Sequence, residues 1–218
     1  MDKIRIACIG DSITEGYGTA DPISDCYPAV LQRKLGEDVE VRNFGISGFC
    51  VLDTADCPYR STMQYQASLR FKPDIVIIML GSNDSKIANF AGHDNDFRRT
   101  YGELLTVYMD LPQRPDVYAV TSPTAWRKEG ELYWDYMVSP EIIHERIVDM
   151  QKLTAGLLDV PVIDMHQMTQ KMKKYFEDGV HPNTEGSKKI AEMIVERISE
   201  SVQKHAERKA KEKINGFL

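Results

Sequence analysis

The chain has 218 residues, 42% of them apolar, with 27 lysines and arginines against 33 aspartates and glutamates, a formal charge of −6. That length and apolar share suffice for one sizeable core, so 1–218 reads as a single domain, with 199–218 as a charged, solvated helical extension. A net negative chain offers no positive field to a phosphate backbone, which argues against nucleic acid, and no apolar run is long enough to span a bilayer.

The opening "MDKIRIACIG" interleaves charge with apolar residues, so it reads as a strand and not as a secretion signal. A cytoplasmic location is the expectation. This strand ends in Gly10-Asp11-Ser12, and "SDCYPAVLQRKLG" follows as a helix, with Ser24 and Asp25 as cap candidates and Gly36 as its stop. A second strand, "DVEVRNFG", runs into "NFGISG" at 43–48 and then into a long insertion, "FCVLDTADCPYRSTMQYQ". The third run, Ile75 to Leu80, is apolar at every position, which suits a central parallel strand covered on both faces; "GSND" at 81–84 follows it. After the fourth strand, "DVYAVTS", comes another long loop, "SPTAWRKEGELYWDY". The next helix has Ser139 as cap and Pro140 at its first position, where a missing N–H costs nothing. A fifth strand, "VPVID", and the segment "EDGVHPN" precede a last helix with Ile190, Met193, Ile194 and Ile198 on one face.

This alternation predicts an α/β fold: a three-layer α/β/α sandwich around a five-stranded parallel sheet of order 2-1-3-4-5. In such a sheet a ligand sits outside the carboxyl ends of the strands, where the strand order reverses. Gly10-Asp11-Ser12, "NFGISG" and "GSND" all lie just after strands. "EDGVHPN" can reach the same edge from the far end of the chain.

A serine hydroxyl is a weak nucleophile that needs a hydrogen-bonded base, and the base needs a partner to fix its tautomer. Ser12, His181 and Asp178 meet that requirement, provided the chain ends converge. Activity is then expected to fall as pH drops and His181 takes a proton. Acyl transfer also requires donors aimed at an oxyanion, and the backbone N–H groups of Ser12 and Gly48 and the side-chain amide of Asn83 are available. Asp11 is a support for its loop, and Asp84 reads as a turn residue.

Gly-Asp-Ser-Ile-Thr, Asn-x-Gly-x-Ser-Gly, Gly-x-Asn-Asp and Asp-x-x-His-Pro, in that order from Ile4 to about Ile198, closely resemble the SGNH (GDSL-type) hydrolases. The resemblance implies Ser12 as nucleophile, Gly48 and Asn83 as oxyanion donors, Asp178 and His181 as the rest of a triad, and no cofactor or metal. It implies an esterase, lipase, thioesterase or carbohydrate O-deacetylase, and the overall pattern is similar to bacterial sugar O-acetylesterase-like members. The expected substrate is a small ester carrying a short acyl group, an acetylated sugar among the candidates. No long apolar lid suggests a lipid surface, so no membrane partner is expected, and oligomeric state is left open. Tyr17, Phe49, Tyr59, Trp126, Tyr133 and Trp134 can line a pocket or pack their own loops; Tyr17, Phe49, Trp126 and Trp134 are the chosen substrate-binding candidates.

Other readings compete. "GISGF" nearly spells a nucleophile elbow at Ser47, but its second glycine comes one place early. Asp164 and His166 form a rival acid–base pair without a matching motif. His93, His144, His166 and His205 read as surface or capping residues. Asp11, Asn83, Asp84 and His181 can be imagined as ligands of a metal-dependent phosphoesterase, and the crevice as a non-catalytic sugar-binding module. Cys8, Cys26, Cys50 and Cys57 contain no C-x-x-C pair, so they read as buried or free thiols, with a Cys50–Cys57 disulfide left open.

Overall fold

The computed structural model of the protein describes residues 3–127 and 136–215. Strands β1 (Ile4–Gly10), β2 (Val39–Gly45), β3 (Ile75–Met79), β4 (Asp116–Val120) and β5 (Val162–Ile163) form one parallel sheet in the order β2-β1-β3-β4-β5, as the sequence predicts. β5 is shorter than the "VPVID" run suggests, because Pro161 has no N–H to give the ladder, although its carbonyl accepts from Ala119 at 3.0 Å.

Alternate residues of each central strand point to opposite faces. Ala7, Ile9, Val76 and Ile78 pack beneath helices Met63–Arg70, Asp94–Met109 and Val148–Leu157, together with buried Phe97, Tyr101 and Tyr108. Ile6, Cys8, Ile75 and Ile77 pack against Tyr27 and Leu31 of helix Tyr27–Leu35 and Ile190, Ile194 and Ile198 of the C-terminal helix. Burial of β3 on both faces explains its unbroken apolar run.

Two helix starts share one chemistry. Asp21 caps Pro22–Asp25 and Ser139 caps the turn at Pro140, each accepting a backbone N–H with proline in the first turn. The expected caps Ser24 and Asp25 therefore lie inside the short helix that Asp21 and Pro22 start, and extended Cys26 separates it from Tyr27–Leu35. That second helix stops at Gly36, whose φ is 82°.

The C-terminal helix, Thr184–Asn215, is one unbroken run of 32 residues, helical through the expected charged extension and exposed over much of it, with one side docked on the sheet edge. Ser201 bonds the Tyr118 hydroxyl at 2.7 Å, and His205 Nε2 and Lys204 Nζ reach Asp116 at 3.1 and 2.8 Å. Arg208 and Lys209 reach buried Asp74 at 2.7 and 2.9 Å. Asp74 precedes β3 and Asp116 begins β4, so Lys204, Arg208 and Lys209 meet carboxylates at the amino edge of the sheet. His205 is buried there and is not a surface residue. Among the described residues, no helix is long and apolar enough to cross a membrane.

At the opposite, carboxyl edge the strands end in small residues. Gly10 lies level with Gly45 on one side and Met79 on the other. A Cβ on Gly10 would fall 1.8 Å from Thr14 Oγ1, and one on Gly45 would fall 2.4 Å from the Glu15 backbone nitrogen. The bare glycines let the turn Ser12–Glu15 press onto the strand ends, which sets the height of Ser12 above the sheet.

Candidate active site

Asp11 caps the turn that carries Ser12, accepting the Ile13 N–H at 3.0 Å, and Gly16 closes that turn in the left-handed conformation. Ser12 Oγ lies 2.8 Å from His181 Nε2 across 169 residues of sequence. On the other side of the ring, His181 Nδ1 lies 2.7 Å from Asp178 Oδ2. The remaining Asp178 oxygen accepts the backbone N–H groups of Val180 and His181 at 2.8 and 2.7 Å, so the acid holds both the imidazole and the turn that bears it. Burial works against the Asp178 charge, but the donors on His181 and Val180 outweigh it and hold the carboxyl below the usual carboxylate range. With Asp178 ionised, the ring proton belongs on Nδ1 and Nε2 faces Ser12 as an acceptor.

Two tyrosines pack on the imidazole. The Tyr17 ring lies 4.5 Å and the Tyr136 ring 4.8 Å from it, centroid to centroid, and the two hydroxyls meet at 3.2 Å. Tyr17 can come this close because Gly18 follows it: a Cβ there would stand 2.8 Å from His181 Cβ, and its φ is +91°.

Gly48 and Asn83 border the same cavity, of about 300 Å³, as Ser12 and His181. Gly48 has a φ of +87°, which turns its peptide in a way an ordinary residue would resist. The Asn83 amide donates to the Phe49 carbonyl at 3.2 Å, and its NH₂ group has a second hydrogen to offer a ligand. Ser12, Gly48 and Asn83, which the sequence nominates as oxyanion donors, thus border one cavity from three separate loops.

Asp84 is more than the turn residue expected. It is fully buried, and its two oxygens accept the backbone N–H groups of Val51 and Leu52 at 2.9 and 2.8 Å, clamping the loop after Gly48 onto the turn that carries Asn83. No sequence signal marks this role, because the loop it clamps is more than thirty residues upstream. Burial pushes Asp84 up to about 7, against the pull of the two N–H groups, and neighbouring Asp11 adds to the push. Burial likewise raises Asp11 to about 6, and its second oxygen is buried without a partner. A carboxyl raised on folding adds stability that is complete below its unfolded value and is lost as pH climbs through its folded one. Urea midpoints measured from about pH 4 to about pH 8 are therefore expected to fall with rising pH, and to fall less steeply in Asp84→Asn, where only the Asp11 share remains.

The remaining candidates divide. Tyr17 lines the cavity, 47% exposed. Phe49 does not: its ring packs on the core, and its carbonyl serves Asn83. Trp126 does not line the cavity either; its ring lies 5.0 Å from Phe176, and its backbone N–H donates to the Gly179 carbonyl beside Asp178. Both rings find apolar neighbours below the rim. Tyr59 is buried and donates to Phe44. Tyr133 and Trp134 lie outside the described residues. Tyr136 and Lys86 line the cavity without having been singled out in the sequence.

The rival arrangements are not assembled. Asp164 caps helix Met165–Thr169 and pairs with Lys152, while His166 is buried against His144 at 3.1 Å, where burial pushes its pKa down. Ser47 bonds Glu15 through its N–H and hydroxyl, and among the described residues no histidine is hydrogen-bonded to it. All four cysteines are free thiols. Among the described residues, no three histidine, cysteine or carboxylate side chains converge as a metal-ligating set.

The model of the GDSL-like lipase/acylhydrolase family matches residues 8–189. An acetylxylan esterase of Xylanibacter ruminicola is 34% identical over 90% of this chain, and an arylesterase of Vibrio mimicus is 24% identical over 89%. The chain spans 43% of the length of the first relative and 88% of the second. Among solved structures, a carbohydrate acetylesterase family member from Sinorhizobium meliloti superposes with a TM-score of 0.73, covering 91% of this chain and 99% of that one at 22% identity. The M. smegmatis aryl esterase gives 0.72, covering 90% and 98% at 22% identity, so both share the fold. With the family model spanning all four motif blocks, from β1 into the C-terminal helix, the chain belongs to the GDSL-like lipase/acylhydrolase family.

Proposed function

We propose that this protein is a serine esterase that removes short acyl groups, acetyl first among them, from the hydroxyls of a carbohydrate. The observation that carries the reading is the continuous relay from Ser12 through His181 to Asp178, at 2.8 and 2.7 Å, on the wall of a small open cavity. Ser12 Oγ attacks the ester carbonyl as His181 Nε2 takes its proton, and Asp178 stabilises the imidazolium. The carbonyl oxygen becomes an oxyanion facing the N–H groups of Ser12 and Gly48 and the Asn83 amide. Collapse expels the alcohol, which takes the proton from His181 and leaves an acyl-Ser12. Water then repeats the sequence with His181 as base and releases the acid.

One feature of the site supports a sugar substrate. The Tyr17 and Tyr136 rings pack beside His181 at the cavity wall, and aromatic rings at such a position suit contact with a sugar ring. The relatives named for acetylxylan and carbohydrate acetyl esters point the same way.

The test compares p-nitrophenyl acetate, butyrate and octanoate with acetylated xylo-oligosaccharides, reading kcat/KM and acetate release. Activity is expected to fall steeply from acetate to octanoate, with acetate freed from the sugar. Equal or better turnover of octanoate, or no acetate from any acetylated sugar, overturns the substrate assignment.

A further inference from the structure

Asp11 carries a charge that its structural duty does not require. One of its oxygens accepts the Ile13 N–H at 3.0 Å and caps the turn of Ser12, a task that a neutral asparagine or serine performs as well. The other oxygen is buried without a hydrogen-bond partner, in a residue only 1% exposed. A carboxylate so placed is unfavourable on stability grounds alone, and such groups gather where chemistry uses them. The cations that act on it point to the use. Burial raises the Asp11 carboxyl; against that push the ionised form is favoured by the Ile13 N–H, then by His181 when its ring is protonated, and more weakly by Lys86. Both cations belong to the catalytic cavity. His181 Nε2 lies 2.8 Å from the hydroxyl of Ser12, the residue after Asp11, and Lys86 lines the wall with Asn83, whose carbonyl accepts the Lys86 N–H at 3.2 Å. The other titratable groups that face Asp11 are Asp84, a like charge, and Tyr27 and Cys50, which burial keeps neutral. Around His181 itself stand Ser12, Asp178 and the Tyr17 and Tyr136 rings.

We propose that Asp11 is a positioning residue of the esterase reaction, a second anion that stabilises protonated His181 through space while Asp178 does so through a hydrogen bond. The proposal rests on the Ser12–His181–Asp178 relay described above and adds a member to it. The imidazole becomes a cation only as Ser12 attacks, so an anion near it lowers the barrier without strengthening the ground state. The same anion would oppose the oxyanion that forms in that step. Lys86, beside Asn83, sets a positive charge against this opposition. Asp11 and Lys86 together thus follow the separation of charge between imidazolium and oxyanion.

The experiment uses Asp11→Asn, which keeps an oxygen for the Ile13 N–H and removes the charge, and follows p-nitrophenyl acetate hydrolysis from about pH 4 to about pH 9. We expect kcat to fall about tenfold with KM little moved, and the acid limb of kcat/KM to shift to lower pH by about half a unit or more, because an imidazole that loses a nearby anion is harder to protonate. In the wild-type protein that limb also includes protonation of Asp11 itself, which removes the same anion and places the limb higher still. Asp11→Ser, a smaller neutral cap, should reproduce both changes. At pH 5 the wild-type carboxyl, raised to about 6, is mostly neutral too, so both variants should melt within a few degrees of wild type there. The limb decides. If it stays in place in both neutral variants the proposal is overturned, even where kcat falls, since a displaced Ser12 alone would give that result. Failure of both variants to fold also overturns it, because the charge would then be structural. Turnover that survives Ser12→Ala would instead end the acyl-serine relay, so the two failures are told apart.

Discussion

Ser12→Ala is expected to lower kcat for acetate release by about ten-thousandfold or more, to a residue supported only by binding and the oxyanion donors. The side chain of Ser12 makes one hydrogen bond in the fold, to His181, and sits on a turn whose cap belongs to Asp11. Its removal should therefore leave thermal unfolding nearly unchanged, which separates loss of chemistry from loss of structure. His181→Ala should cost a similar factor, and the double variant little more, because a nucleophile without its base and a base without its nucleophile are equally idle. A serine-reactive phosphonate should label the wild-type protein at Ser12 and leave Ser12→Ala unmodified. Full turnover by the alanine protein would end the acyl-serine mechanism.

Asn83→Ala is the second large effect, about a hundred- to a thousandfold in kcat with KM little moved, since the amide gains its main partner only when the carbonyl oxygen becomes charged. The same substitution frees the Phe49 carbonyl, so the loop bearing Gly48 loses one of its anchors. The Asp84 clamp on Val51 and Leu52 remains, and the melting temperature should shift by no more than a few degrees, as for one lost hydrogen bond. Steady-state kinetics beside a thermal melt resolve the two contributions. A kcat within a few-fold of wild type would remove Asn83 from the oxyanion site.

What the sequence discloses of this molecule follows from how local each cause is. Strand order, the buried character of β3 and the positions of the motif loops all follow from periodicity and from rules about parallel sheets, and the structure reproduces them. Ser12, Gly48, Asn83 and His181 could be nominated because each follows or approaches a strand end, and the structure gathers them around one cavity. Asp84 could not be read this way. Its role is a pair of bonds to backbone N–H groups of a distant loop, and backbone donors carry no sequence signature. Phe49 and Trp126 show the reverse difficulty: an aromatic residue in a loop above the site is as useful to the loop's own packing as to a ligand, and here packing claims both rings. The ion pairs of the basic tail are equally hard to read, since the partners, Asp74 and Asp116, are single carboxylates at strand starts that become neighbours only after the sheet has formed.

The Ser12–His181 contact joins residues 169 positions apart, whereas Asp178 and His181 share one turn. During refolding, the acid and base can therefore pair early, while the nucleophile meets them only after the two ends of the polypeptide have been brought together at the entropic cost of closing nearly the whole chain. Recovered catalysis thus reports completion of the global topology, and intermediates with much native helix and strand would remain enzymatically silent until that last long loop closes.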